Sequence, residues 1–309
     1  MPVRIVFVGT TEFARHMLDE ILKEDANVCA VYSITREHAA GIPDWRDLGD
    51  LTRARGVEHY EVASFGAADD LEHLHSLKCD AVLAMGLPGL PPPELLSIPR
   101  LGTIASHPSL LPRNRGPDAI PAHILAGETD GGLTFYLMDE KAYGGPIVSQ
   151  RRFHITLRDT ACTLYSKTIT AGREMIAEVL PMLKRGRLET TPQDESRATF
   201  LPDVPDAQPR IDWKQNARRT YDLVRAMTHP YVGAFCYLGP EKLTVWEAGF
   251  SHEPVDARAG EVVRISDRGV EVATGAGLIV LRTVQVAEEP EHALDVFERA
   301  GSQLGTVLR

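Results

Sequence analysis

Residues 3–24 read VRIVFVGTTEFARHMLDEILKE. The opening VRIVFVG is a near-continuous apolar run, the pattern of a parallel strand buried on both faces. The stretch that follows it places Phe13, Met17, Leu18, Ile21 and Leu22 at helical spacing. A buried strand that turns directly into an amphipathic helix predicts an α/β fold, and the pattern repeats downstream. NVCAVYS (27–33) is a second strand, DWRDLGDLTRARG (44–56) a helix closed by Gly56, and VEHYEVA (57–63) a third strand. ADDLEHLHSL (68–77) and CDAVLAMG (79–86) continue the alternation. Strands separated by helices of this length imply a doubly wound sheet, whose ligands sit outside the carboxyl ends of the strands.

Farther on, GGLTFYLMDE (131–140) and GPIVSQRRFHI (145–155) read as a strand pair, and residues 159–186 as a long helix. Residues 191–209, TPQDESRATFLPDVPDAQP, are rich in proline and polar side chains and read as an interdomain linker. Beyond it come the helix NARRTYDLVRAMT and the short strands GAFCYLG, EKLTVWEAG, GEVVRIS, GVEVATG and GLIVLRTVQV. Their spacing predicts a small OB-like β-barrel. The boundaries are 1–190 for the α/β domain, 191–209 for the linker and 210–309 for the C-terminal domain. Trp213 and Trp246 are expected in its core.

Composition narrows the function. The 309 residues carry 33 Lys and Arg against 43 Asp and Glu, a net charge of −10. From residue 205 onward 12 basic residues face 15 acidic ones. Nucleic-acid binding relies on clustered cations, so a large nucleic-acid footprint is not expected. There is no long apolar run to suggest a membrane span, and the N-terminus is unlike a secretory signal. The four widely spaced cysteines form no C-x-x-C pair, which points to free thiols in a reducing cytoplasm and to no metal site. The turn VGTTEFA lacks the G-x-G-x-x-G pattern, which argues against a dinucleotide oxidoreductase.

The run HPSLLPRNRGPDAIPAHILAGETDGGLTFYLMDE (107–140) resembles the central signature of the folate-dependent formyltransferases, the family of methionyl-tRNA and sugar-amine N-formyltransferases. VRIVFVGTTEFA (3–14) resembles that family's first strand and turn, and residues 210–248 resemble the start of its C-terminal domain. The resemblance implies a Rossmann-like formyltransferase domain, 10-formyltetrahydrofolate as donor and a small-molecule amine as acceptor; a homodimer is compatible with it. In the family an asparagine and a histidine serve the tetrahedral oxyanion and an aspartate tunes the histidine. The histidine is His107, the asparagine falls on Ala105, and the aspartate falls on Tyr143 in MDEKAYGGPI. Tyr143 brings a phenol with a pKa of about 10, which is neutral where a carboxylate is charged.

The resemblance therefore implies His107 as the catalytic group, with Tyr143 and Ser106 as replacement partners. Met85, Gly86 and Leu87 on one side and Asp139, Glu140 and Gly144 on the other would flank the folate. Arg115 and Ser109 would contact the acceptor. Two other readings stay open: divergent chemistry in the same cleft, and a ligand-binding protein that has lost catalysis.

Overall fold

A computed structural model describes residues 2–87, 92–201 and 209–309. The chain divides into two compact units, Met1–Ala119, Thr129–His154 and Tyr165–Leu201 in unit 1, and Ile120–Glu128, Ile155–Leu164 and Pro202–Arg309 in unit 2.

Unit 1 begins with β1 (Ile5–Val8), every residue of which is buried. The helix α1 (Glu12–Lys23) follows, started by Thr11, whose side chain accepts from the Ala14 amide. Then come β2 (Val28–Ile34), α2 (Gly49–Arg55), β3 (His59–Val62), α3 (Ala68–Ser76), β4 (Ala81–Ala84), α4 (Pro93–Ser97) and β5 (Thr103–His107). Next along the chain come the helix α5 (Ala119–Leu125), which beyond Ala119 belongs to unit 2, then the unit 1 pair β6 (Asp130–Leu137) and β7 (Ile147–His154), and α6 (Ala161–Lys184), which is part of unit 1 from Tyr165 onward. The strands form one sheet in the order β3-β2-β1-β4-β5-β6-β7. The first five are parallel, whereas β6 runs antiparallel to β5 and β7. Strand order reverses between β1 and β4. Such a switch point opens a crevice at the carboxyl ends, here after Val8, Ala84 and His107.

One face of the sheet buries Phe7, Leu83, Ile104 and Phe135 with Met17, Ile21, Met175 and Val179. The 159–186 helix of the sequence reading is α6. The 44–56 helix shortens to α2, because its first residues are drawn elsewhere: Trp45 bridges to Thr11 and its indole donates to the Ile34 carbonyl at 2.8 Å.

Residues 191–201, read above as linker, run along unit 1 instead. Thr191 bridges to Ile147, Arg115 donates its amide to the Thr199 carbonyl at 2.9 Å, and Leu201 donates to the Arg115 carbonyl at 2.9 Å. Their backbone groups find partners on unit 1 that water would otherwise supply. Residues 202–208 of the expected linker lie outside the described residues.

Unit 2 contains α7 (Ala217–Met227), β8 (Ala234–Leu238), β9 (Glu241–Ser251), β10 (Val262–Ser266), β11 (Gly269–Ala273), β12 (Leu278–Gln285), β13 (Glu291–His292) and α8 (Ala293–Arg299). Its antiparallel sheet has the order β10-β11-β12-β9-β8, with β13 on β12. The end of the chain touches both edges. Val262 and Leu308 exchange backbone bonds with Thr306 and Gly260, and Tyr237 of β8 pairs with Arg309 at 2.7 and 3.1 Å. Trp213 is buried, but Trp246 is half-buried and stacks on His229.

Candidate active site

His107 is the last residue of β5 and is only 4% exposed. Strand alternation puts it on the same face as Ala105 and puts Ser106 on the other. Ser106 accordingly faces the Gly86 amide, at a long 3.5 Å. The imidazole is oriented by the loop that follows: Nε2 lies 3.1 Å from the Asn114 carbonyl oxygen. That oxygen can only accept, so Nε2 carries a proton and, in the neutral ring, Nδ1 carries the lone pair.

The loop is tied down from inside. Ser109 is fully buried, its hydroxyl donating to the Arg113 carbonyl at 3.0 Å, while Thr134 donates to the Ser109 carbonyl at 2.7 Å. Gln150 adds bonds to Thr134 and to the Leu111 carbonyl. The Leu111–Pro112 peptide is cis. The hydroxyl of Ser109, expected at the acceptor, helps to hold the turn.

Tyr143 meets His107. The two ring centroids are 4.5 Å apart with an interplanar angle of 40°. Burial, and then the charge of Asp118, push the phenol above its ordinary value, so it stays neutral throughout the physiological range. Tyr143 adopts φ +60°, which a non-glycine residue takes only where its surroundings hold it there. The hold is visible. Gln193 donates to the carbonyls of Tyr143 at 2.8 Å and Gly145 at 2.6 Å. Arg115 in turn donates to Gln193 at 2.9 Å and grips Glu195 through two bonds at 2.9 and 3.0 Å. The Arg115 side chain is 5% exposed, so this expected acceptor-binding guanidinium braces the Tyr143 loop. At Gly145 a Cβ would collide with the Leu137 carbonyl, so only glycine permits this approach.

The walls around the two rings are apolar. Ala84, Ala105, Leu111 and Tyr136 form a buried cluster, with Leu87, Met138, Tyr143 and Ile147 packed on it. Met85 is buried in the opposite core, and Gly86 turns the chain at φ +62° where a Cβ would strike Thr11. Gly144 donates to the Lys141 carbonyl at 3.0 Å. Asp139 and Glu140 are exposed, and Asp139 accepts from the Lys141 amide at 2.9 Å. Pro88, Gly89 and Leu90 of the expected folate loop lie outside the described residues.

Asp118 was not among the expected site residues. It takes φ +48°, its charge reaches the Tyr143 phenol, and local desolvation raises its own carboxyl although the residue as a whole is exposed. Gln193 and Asn114 were missed as well. Asn114 acts through its main-chain oxygen, which leaves no signal in side-chain chemistry. Among the described residues no group of three or more His, Cys, Asp or Glu could hold a metal, and no helix is long and apolar enough to cross a membrane.

The family described as formyl transferase matches residues 3–180, and its C-terminal domain matches residues 204–300. The methionyl-tRNA formyltransferase of Methylococcus capsulatus is 30% identical, covering 98% of this chain and all (100%) of that protein. Among solved structures, HypX from Aquifex aeolicus in complex with tetrahydrofolic acid shares the fold, with TM-score 0.68 and 21% identity over 96% of this chain. The match spans 47% of HypX, about half its length. An N-formyltransferase from Helicobacter canadensis, in complex with folinic acid and dTDP-3-aminofucose, matches with TM-score 0.67 and 17% identity over 90% of this chain and 99% of its own. A doubly wound sheet ending in His107, an antiparallel second unit and matches along nearly the whole sequence have one common account: the chain belongs to the formyl transferase family.

Proposed function

We propose that the chain transfers a formyl group from 10-formyltetrahydrofolate to a small-molecule amine, with His107 moving the proton. The observation that carries this reading is the buried imidazole at the end of β5, oriented through Nε2 by the Asn114 carbonyl. The surroundings suit the donor. The half-exposed Leu87, Met138 and Tyr143 offer apolar walls to a flat heteroaromatic ring, and Gly86 lets backbone approach it. The Aquifex and Helicobacter structures, with tetrahydrofolic and folinic acid, support the same donor.

When bound, the donor supplies an activated formyl carbon. The acceptor reaches the cleft as an ammonium and must lose a proton before it attacks. Of the two protons the acceptor nitrogen loses, one is released to solvent and the other passes through the His107 imidazole to the departing folate nitrogen, so the C–N bond formed to the acceptor balances the one broken. The neutral Tyr143 phenol is a hydrogen-bond donor, not a substitute charge, and Ser106 is the nearest other hydroxyl in sequence. Met85, Asp139, Glu140 and Gly144 border the same cleft in this reading. The four widely spaced cysteines support a reducing cytoplasm.

The acidic balance of the chain favours a small amine over a polyanion. A second reading, an aminoacyl-tRNA acceptor, is favoured by the full-length match to the Methylococcus enzyme. The experiment presents 10-formyltetrahydrofolate with amino sugars and, separately, with methionyl-tRNA, and follows tetrahydrofolate release. Turnover with one acceptor decides between them, and His107→Ala should lower it by about 10²–10⁴-fold. Folate binding without turnover on either acceptor would favour the ligand-binding alternative, and undiminished turnover in His107→Ala would overturn the role given to His107.

A further inference from the structure

Unit 2 holds a cavity of about 440 Å³ that the formyl-transfer chemistry does not use. Tyr221, Trp246 and Phe250 line it together with Arg158, Arg225 and Arg282, and all six belong to unit 2. The rings are fixed. Tyr221 donates its hydroxyl to the Leu157 carbonyl at 3.0 Å and packs 4.9 Å from Phe250. Trp246 donates to Gln285 at 2.7 Å, and His229 lies flat on the indole at 4.0 Å and 6°.

The cations are placed with equal care. Arg225 is 3% exposed; Nε binds Asp222 at 2.7 Å and Nη1 binds the carbonyls of Thr156 and Asp159 at 3.3 and 2.6 Å. Among the described residues its Nη2 has no hydrogen-bond partner, which leaves a donor uncommitted on a buried side chain at the cavity wall. Arg282 is the extra residue of a bulge: Leu281 pairs with Ala248 and Thr283 with Glu247, its next neighbour. A bulge re-aims a side chain, and here the guanidinium reaches over Gly249, where a Cβ would come to 3.1 Å. Arg158 is exposed on the rim. The opposing carboxylates are engaged, Glu247 with Arg282 at 3.4 Å and with Thr283, and Asp222 between Arg218 and Arg225.

We propose that this cavity binds a nucleoside phosphate, its base against the Tyr221, Trp246 and Phe250 rings and its phosphate on Arg282, Arg158 and Arg225 Nη2. Preformed aromatic faces suit any base, whereas guanidinium forks suit a tetrahedral oxyanion. The volume is that of a small-ligand site. The ligand is either a free nucleotide or the end of a single strand, which share this chemistry. The inference stands apart from the formyl-transfer reading, since no residue of the β5 cleft contributes to it.

The test is calorimetric titration of the full chain with AMP, UMP, adenosine and the trinucleotide ApApA. AMP or UMP should bind, adenosine should bind more weakly, and Arg282→Ala and Phe250→Ala should each weaken binding by about tenfold. Arg158→Ala, on an exposed side chain, guards against a folding artefact and should weaken it too. Binding should persist in His107→Ala. Binding of ApApA alone, with the same sensitivities, assigns the site to a strand end. No binding of any probe, binding unaltered by the arginine variants, or binding lost in His107→Ala would each overturn the proposal.

Discussion

Gln193 occupies a position out of proportion to its chemistry. One amide holds two main-chain carbonyls of the Tyr143 loop and accepts from Arg115, so its loss strands three buried or half-buried polar groups. Gln193→Leu should destabilise unit 1 by about 1–3 kcal/mol, measured by urea unfolding. The same variant should lower kcat for formyl transfer more than it raises KM, because it loosens the cover of His107 without touching a substrate. His107 and Tyr143 were legible in the sequence because their chemistry is particular and the motif around them is distinctive. Arg115 and Ser109 were read as ligand contacts, since a basic loop beside a histidine offers no sign of what its side chains bind within the fold. Their partners, Glu195 and Gln193 for one and the Arg113 carbonyl for the other, follow from tertiary proximity that spacing does not encode.

Elements were easier. Apolar runs and helical periodicity carried β1, β2, β4, α1, α6, α7 and the strands of unit 2, because a buried face leaves its period in the sequence. The helix α8 was missed: ALDVFER is seven residues long and buries only Ala293, Val296 and Phe297. Packing between α1 and α6 rests on Gly172, where a Cβ would sit 2.7 Å from the Met17 sulfur and 2.9 Å from Phe13. Gly172→Ala gains about 1 kcal/mol of helix propensity. It forces two buried side chains aside at a cost of about 1–3 kcal/mol, so thermal unfolding should show a net loss. Between α1 and α2, Arg15 holds Asp50 and depresses its carboxyl to about 2. A depressed carboxyl stabilises the fold above the ordinary value near 4 and loses that contribution as pH falls from there towards 2. Asp50 is 56% exposed, so the effect is below about 1 kcal/mol, and Asp50→Asn should flatten that part of the acid-unfolding curve.

Over the whole molecule, the four cysteines report burial. Cys162 is exposed, Cys29 is half-buried with a raised thiol, and burial pushes Cys79 to about 11 and Cys236 to about 12. A thiolate reagent at pH 8 should modify Cys162 first and reach all four only on unfolding. In unit 2 the last residues hold β10 and β8 together, so removing 306–309 should bare two strand edges and promote association, measurable by light scattering. The segment 191–201 has a different consequence, one of timing. A ribosome releases every strand of the seven-stranded sheet, and then α6, before it delivers Thr191, Gln193, Glu195 and Thr199. A nascent chain halted just past Lys184 therefore owns His107 and Tyr143 but none of the braces between them. The cleft is the last part of unit 1 to be finished during translation.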